Sequence, residues 1–174
     1  AYGLGIAQSA LKASKVKKGK LYLDGAVLSS ERLRSMIEIA LFEKGALATS
    51  TIVAGGLQAS DPHQIGHGPL KPNEMIIVDI FPKIKKSGYH GDMTRTFLKG
   101  KASDIQKNLV SAVKEAQKRA IAKIKANVGA NTIHAEVISC FKQKGYITER
   151  KMGEDTFVGF IHSTGHGLGL DIHE

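Results

Sequence analysis

Met75-Ile-Ile-Val-Asp79-Ile-Phe81 is the most apolar run in the chain, and Tyr89-His-Gly-Asp92-Met-Thr94-Arg95-Thr96-Phe97 follows it after a turn at Ser87-Gly88. The branched residues of the first segment predict a buried strand, and the second predicts a strand returning beside it. In such a hairpin-like pair Asp79 and Asp92 can lie opposite each other. Burying an unpaired carboxylate costs on the order of several kcal/mol. Asp79 therefore calls for a metal, an arginine, or a hydrogen-bond network that includes backbone amides. Two carboxylates facing across a strand pair repel unless a cation sits between them, a part that Arg95 or a divalent ion can fill.

Histidines cluster on either side of this pair. Downstream, His162-Ser-Thr-Gly-His166-Gly-Leu-Gly-Leu-Asp-Ile-His173-Glu174 holds three histidines and three glycines, an unusual density for a packing segment. Glycines between His166 and His173 let the backbone bend so that both rings can face one site. Neutral imidazole ligates divalent transition metals and shuttles protons near neutral pH. Upstream, Asp61-Pro62-His63-Gln-Ile-Gly66-His67-Gly68-Pro69 is rich in turn formers and reads as a loop, where a rigid scaffold tends to present chemistry. Paired carboxylates plus histidine make a borderline-hard donor set suited to Mn²⁺, Fe²⁺, Co²⁺ or Zn²⁺. No cysteine stands among these donors, which argues against a structural zinc site.

The 174 residues suffice for one domain with a hydrophobic core and are too few to expect two. No apolar run approaches the roughly 20 residues that cross a bilayer, and no secretory pattern opens the chain. Cys140 is the single cysteine, so no disulfide framework exists and a cytoplasmic setting is expected. The chain starts with Ala, as an excised piece would. A net charge of +9 raises the question of nucleic acid. The lysines are scattered apart from Lys12, Lys15, Lys17, Lys18 and Lys20, and no aromatic residues interleave with that run, so no single-strand stacking platform is expected.

Amphipathic spacing predicts a helix over 4–16 ended by Gly19, and a turn at Asp24-Gly25 within the apolar piece 21–28. A helix capped by Ser29 or Ser30 follows, with Leu33, Met36, Ile37, Ala40 and Leu41 on one face and a stop at Gly45. Residues 51–56 read as a strand entering a loop. Ser103 and Gln106 form a capping box for a helix with Ile105, Leu109, Val113, Ala116, Ala120, Ile124 and Val128 on its face, ended by Gly129. The next helix, from about Asn131 to Gly145, turns Ile133, Val137 and Phe141 inward, with His134 and Cys140 as packing or surface residues. Residues 156–161 read as a short strand. Strand pairs flanked by amphipathic helices indicate an α+β fold.

The order Val-Asp79-Ile-Phe, Gly-Tyr-His-Gly-Asp92-Met-Thr-Arg-Thr-Phe and Gly-His166-Gly-Leu-Gly-Leu-Asp-Ile-His173-Glu resembles the pita-bread metallopeptidases, the superfamily of creatinase, aminopeptidase P, prolidase and methionine aminopeptidase. The last motif looks more like the Xaa-Pro branch, whereas Gly-Tyr-His-Gly-Asp is nearer the methionine enzymes. The resemblance implies an α+β pita-bread fold, a curved antiparallel sheet flanked by helices, in a single catalytic domain over 1–174. It implies a peptidase that cleaves at Xaa-Pro bonds by metal-activated water, as an aminopeptidase or a dipeptidase. Two divalent ions are expected, Mn²⁺ first, with Co²⁺, Zn²⁺ or Fe²⁺ as alternatives, held by Asp79, Asp92 and His166. His173 would act near the scissile bond, and an upstream histidine in substrate binding and proton transfer. Spacing favours His63, sixteen residues before Asp79, with His67 as the second choice. His162 would stand on the substrate side, and Tyr89, His90 and Arg95 would support the site without binding metal.

The family completes its centre with two glutamates on later strands, and none follows the final motif here apart from its own Glu174. The expectation is a domain lacking its C-terminal strands, inactive by itself, with an exposed sheet edge suited to association with a second chain, a homodimer included. The expected substrate is a peptide with proline at its second position, with no nucleic acid or membrane partner. Competing readings are a methionine aminopeptidase, disfavoured by the lack of a cysteine in the loop before Asp79, and a metal-free relative acting as a binding protein, with which the basic charge would agree.

Overall fold

The computed structural model describes residues 1–148, 159–160 and 162–174. The chain falls into two compact units, Ala1–Ala102 with Gly167–Glu174, and Ser103–His166. The architecture is mixed α and β, as expected.

The first unit is built on an antiparallel sheet of β5 (Ile52–Gly55), β6 (Met75–Ile80) and β8 (Met93–Leu98), with β6 in the centre. Along β6, Ile76, Val78 and Ile80 are buried while Met75, Ile77 and Asp79 are half-buried on the other face. That period of two commits one face to the core. Helices α1 (Tyr2–Ala13) and α2 (Ser30–Glu43) cover it, contributing Leu4, Ala7, Leu11, Leu33, Ile37 and Leu41. Gly3 permits the close approach: a Cβ there would stand 2.9 Å from Ile80 Cδ1 and 3.1 Å from Ile37 Cγ2. Helix α2 begins as expected, with the Ser29 hydroxyl accepting from the Arg32 amide at 3.2 Å. It closes before Gly45, whose φ of +77° suits glycine.

Helix α1 ends earlier than its apolar spacing predicts. Its C-cap, Ser14, is extended and donates its hydroxyl to Leu11 O at 2.7 Å. The lysine-rich stretch is then a strand, β1 (Lys15–Lys17), paired with β2 (Lys20–Leu23), which in turn pairs with β3 (Ala26–Val27). Positive φ at Lys18-Gly19 and at the anticipated Asp24-Gly25 turn closes both hairpins. Exposed lysines along β1 suit an edge strand, where charge discourages further pairing. A small antiparallel pair, β4 (Ala46–Leu47) with β7 (Lys83–Ile84), completes this unit's strands among the described residues.

The second unit pairs α3 (Asp104–Lys123) with α4 (Ala130–Gln143) around Ala112, Ala116, Ala120, Val137, Cys140 and Phe141. The Ser103/Gln106 capping box is present. The buried stripe of α3 is nevertheless shifted: Ile105 and Val113 are exposed, three alanines face α4, and the helix stops at Lys123 rather than near Gly129. The small alanines of α3 let its backbone approach Val137, Cys140 and Phe141 of α4, and charge locks the pair. Glu115 pairs with Arg119 and Lys144, and Glu136 with Arg119 and Lys123. These contacts hold the Glu115 and Glu136 carboxyls below their ordinary range, chiefly through Lys144 and Lys123 respectively. The strand expected over 156–161 lies almost entirely outside the described residues.

Candidate functional site

In the first unit Asp79 stands in the middle of the three-stranded sheet, opposite Ile52 on one side and Thr94 on the other. Its alternation with Val78 and Ile80 places it on the face turned away from the helices. Residues directly across an antiparallel ladder share a face, and the Thr94 hydroxyl donates to Asp79 Oδ1 at 2.5 Å. A short bond to an ionised acceptor is among the stronger hydrogen bonds and fixes the carboxylate's orientation.

The register corrects one expectation. Asp92 is not opposite Asp79; it precedes β8, two residues before Thr94, and is the diagonal neighbour in the ladder. The Cα atoms of such neighbours are roughly 7–8 Å apart, a separation across which two carboxylates can share a cation. Arg95 lies opposite Val78, on the alternate face, and donates to Thr94 O at 2.8 Å.

The connection between the two aspartates carries the end of the chain. Lys83 Nζ donates to Leu170 O at 3.0 Å and the His90 amide to Gly169 O at 2.8 Å. Within 167–174 the Glu174 carboxylate accepts from the amides of Leu170 at 2.8 Å and Asp171 at 3.1 Å, closing a tight loop beside the exposed His173. His90 Nδ1 lies 3.2 Å from Phe81 O, which fixes its ring beside the strand end.

His63 and His67 are exposed in the loop after a short 3₁₀ turn, Gly56–Ser60. His63 sits in an Asx turn, its amide donating to Asp61 Oδ1 at 2.8 Å. His67 is held on both sides by Gln58, which accepts from its amide at 2.8 Å and donates to its carbonyl at 3.0 Å. Gly66 is required here, because its φ is +83° and a Cβ would fall 1.8 Å from Val53 O. Glu31, in the first turn of α2, accepts from the Gly68 amide at 2.9 Å. That bond, aided by the Ser29 hydroxyl, lowers the Glu31 pKa to about 2.

Glu31 binds fewer protons folded than unfolded, so its contribution to stability is complete above its ordinary pKa of 4.5 and is lost as pH falls towards about 2. Urea unfolding of the wild type and Glu31→Gln at pH 7, 4 and 3 is expected to show the stability difference shrinking as pH falls. A difference independent of pH would contradict this role.

In the second unit the His162 ring meets Phe160 edge-on at 4.7 Å, and its Nδ1 is 2.8 Å from Ser163 O. His134 Nδ1 lies 2.8 Å from Thr164 Oγ1, with its ring 5.9 Å from Phe160. His134 thus supports the histidine stretch in addition to packing. His166 is exposed and ends this unit. The first unit therefore holds His63, His67, Asp79, Asp92 and His173, and the second holds His162 and His166. Among the described residues no three His, Cys, Asp or Glu side chains form a group that could hold a metal ion. Within the first unit Asp79 is a half-buried, oriented carboxylate on an open sheet face and Asp92 is an exposed one, oxygen donors of the type that divalent ions take. Sequence reasoning missed Thr94, Glu31, Arg34 and Gln58. Thr94 owes its role to the strand register, and the other three act on main-chain atoms, which leave no motif.

The pattern described as metallopeptidase family M24 matches residues 5–174. The chain is 31% identical over 128 residues to an Xaa-Pro dipeptidase of Pyrococcus furiosus, covering 73% of this chain and 33% of that protein. It is 33% identical over 131 residues to methionine aminopeptidase B of Synechocystis, covering 74% and 41%. The solved structure of a prolidase from Pyrococcus furiosus superposes with a TM-score of 0.76 at 26% identity, covering 99% of this chain and 47% of that one. The chain spans about a third of the length of the first curated relatives it matches. Among the described residues no helix is long and apolar enough to cross a membrane.

Proposed function

Because the chain belongs to metallopeptidase family M24, we propose that it carries metal and substrate groups of a cytoplasmic peptidase acting at Xaa-Pro bonds, its two units forming parts of one pita-bread catalytic domain. The observation that carries this reading is the mid-sheet Asp79, half-buried, oriented by Thr94, with Asp92 diagonal to it. Dipeptidases specific for Xaa-Pro recur among the relatives, which supports the proline preference. Asp79, Asp92 and His166 are the donors for two divalent ions, Mn²⁺ in the first instance.

Such ions, when bound, would lower the pKa of a water and polarise the substrate carbonyl. The chain's own groups do the rest. Thr94 holds the Asp79 carboxylate in one orientation through Oδ1. His63, with His67 as the alternative, orients the peptide and moves a proton from the loop before β6. His173 donates to the oxygen that becomes negative in the tetrahedral intermediate, and His162 lines the substrate side. A tertiary amide before proline has no N–H to offer, so recognition of the scissile bond falls on its carbonyl and on these imidazoles.

A methionine aminopeptidase is the second reading, supported by the Synechocystis relative. Hydrolysis of Ala-Pro, Ala-Pro-Ala and Met-Ala-Ser by the Mn²⁺-loaded whole protein separates the two. The proposal expects turnover of the proline peptides and little of Met-Ala-Ser; the reverse preference would replace it. The peptide is the expected partner, with a homodimer through the sheet edge and no nucleic acid.

A further inference from the structure

Helix α2 grips the histidine loop entirely through main-chain atoms. Arg34 donates from Nε to Thr51 O at 2.8 Å and from Nη2 to both Ile65 O and Gly66 O, the latter at 2.7 Å. One turn earlier, Glu31 accepts from the Gly68 amide, and the Ser30 amide donates to Gly68 O at 2.9 Å. The Val53 amide donates to Ile65 O at 3.0 Å, extending the edge of β5 into the loop. His67 lies inside this set of bonds, and His63 is attached to it two residues before Ile65. From these bonds we infer that Arg34 and Glu31 are positioning residues, which set where the loop presents its histidines without touching either imidazole.

Three features separate this arrangement from ordinary packing. First, α2 is a rigid base, because Leu33 and Ile37 on its inner face are fully buried in the core. Second, the planar guanidinium bridges the start of β5 and the loop by three carbonyls, a geometry that a lysine ammonium cannot span. Third, the gripped segment contributes little to the core: Ile65 and His67 are exposed, and only Gly66 is buried. The bonds therefore hold a segment whose own apolar burial would leave it free to move. The purpose of holding it rests on the peptidase reading; the manner of holding it rests on the geometry.

Amide hydrogen exchange on the 174-residue protein tests this. The amides of His67 and Gly68 are the reporters, and those of 76–80 in the central strand are the internal reference. Arg34 bonds only carbonyls, so a change at these amides cannot be the trivial loss of an acceptor. Arg34→Ala is expected to speed exchange at His67 and Gly68 about tenfold or more, leaving 76–80 unchanged. Arg34→Lys should fail to restore protection, whereas Glu31→Gln, which keeps an acceptor oxygen, should retain most of it and Glu31→Ala should not. Equal acceleration in the central strand, or none at the reporters in both Arg34 variants, would overturn the inference. In the Mn²⁺-loaded whole protein, Arg34→Ala should lower kcat for Ala-Pro at unchanged metal content. An inactive wild type would refute the peptidase reading, while the exchange result still decides whether the loop is held this way.

Discussion

Asp79→Ala is expected to abolish Mn²⁺-dependent hydrolysis of Ala-Pro by the whole protein, lowering kcat by roughly 10³-fold or more, the scale set by several kcal/mol of metal-supplied charge stabilisation. Asp79 has a fixed environment: central strand, half-buried, Oδ1 on the Thr94 hydroxyl at 2.5 Å. Removing it costs a donor that the sheet positions. The fold should survive, because the core face of β6 is carried by Ile76, Val78 and Ile80. The loss of the Thr94 bond should cost on the order of 1 kcal/mol. Thr94→Val provides the graded counterpart. Groups that orient a ligand typically contribute about 10–100-fold, so that variant should retain metal and lose part of the rate. Steady-state kinetics with parallel urea unfolding distinguishes these outcomes; an Asp79→Ala protein with wild-type turnover would remove Asp79 from the site.

His173→Ala should leave metal uptake intact and lower kcat by roughly 10²–10³-fold, the usual cost of deleting one donor to a developing oxyanion. The side chain is exposed, so its removal makes no cavity. The segment that carries it is held by other groups: Glu174 accepts from the amides of Leu170 and Asp171, and Lys83 and His90 hold the carbonyls of Leu170 and Gly169. Those bonds should preserve the path of the segment when the imidazole is truncated. A rise in KM with kcat preserved would make His173 a binding group that acts equally on ground and transition states.

The strand pair was legible because its signals are local. The branched apolar run from Met75, the Asp24-Gly25 turn and the Ser103/Gln106 box each depend on neighbours a few residues away, and each stands in the structure. The boundaries of α1 and α3 were less legible, since apolar spacing continues past the point where tertiary contacts end the helix. At Lys15–Lys17 pairing with β2 prevails over helical spacing, and on α3 close contact between helices selects alanines over Ile105 and Val113. Asp79 and Asp92 stood out as carboxylates in or beside apolar strands, but their diagonal relation required the register. Glu31 and Arg34 were hidden for a different reason. A side chain that binds main-chain carbonyls and amides 31 to 37 residues away creates no pattern in sequence.

Metal uptake shows whether Asp79 is a donor. Metal-free whole protein and its Asp79→Ala variant are equilibrated with Mn²⁺ and the bound metal is measured per chain, alongside unfolding curves to establish that both are folded. Two Mn²⁺ per chain are expected in the wild type and less than one in the variant. Equal uptake by the two folded proteins, or none by either, would contradict that role.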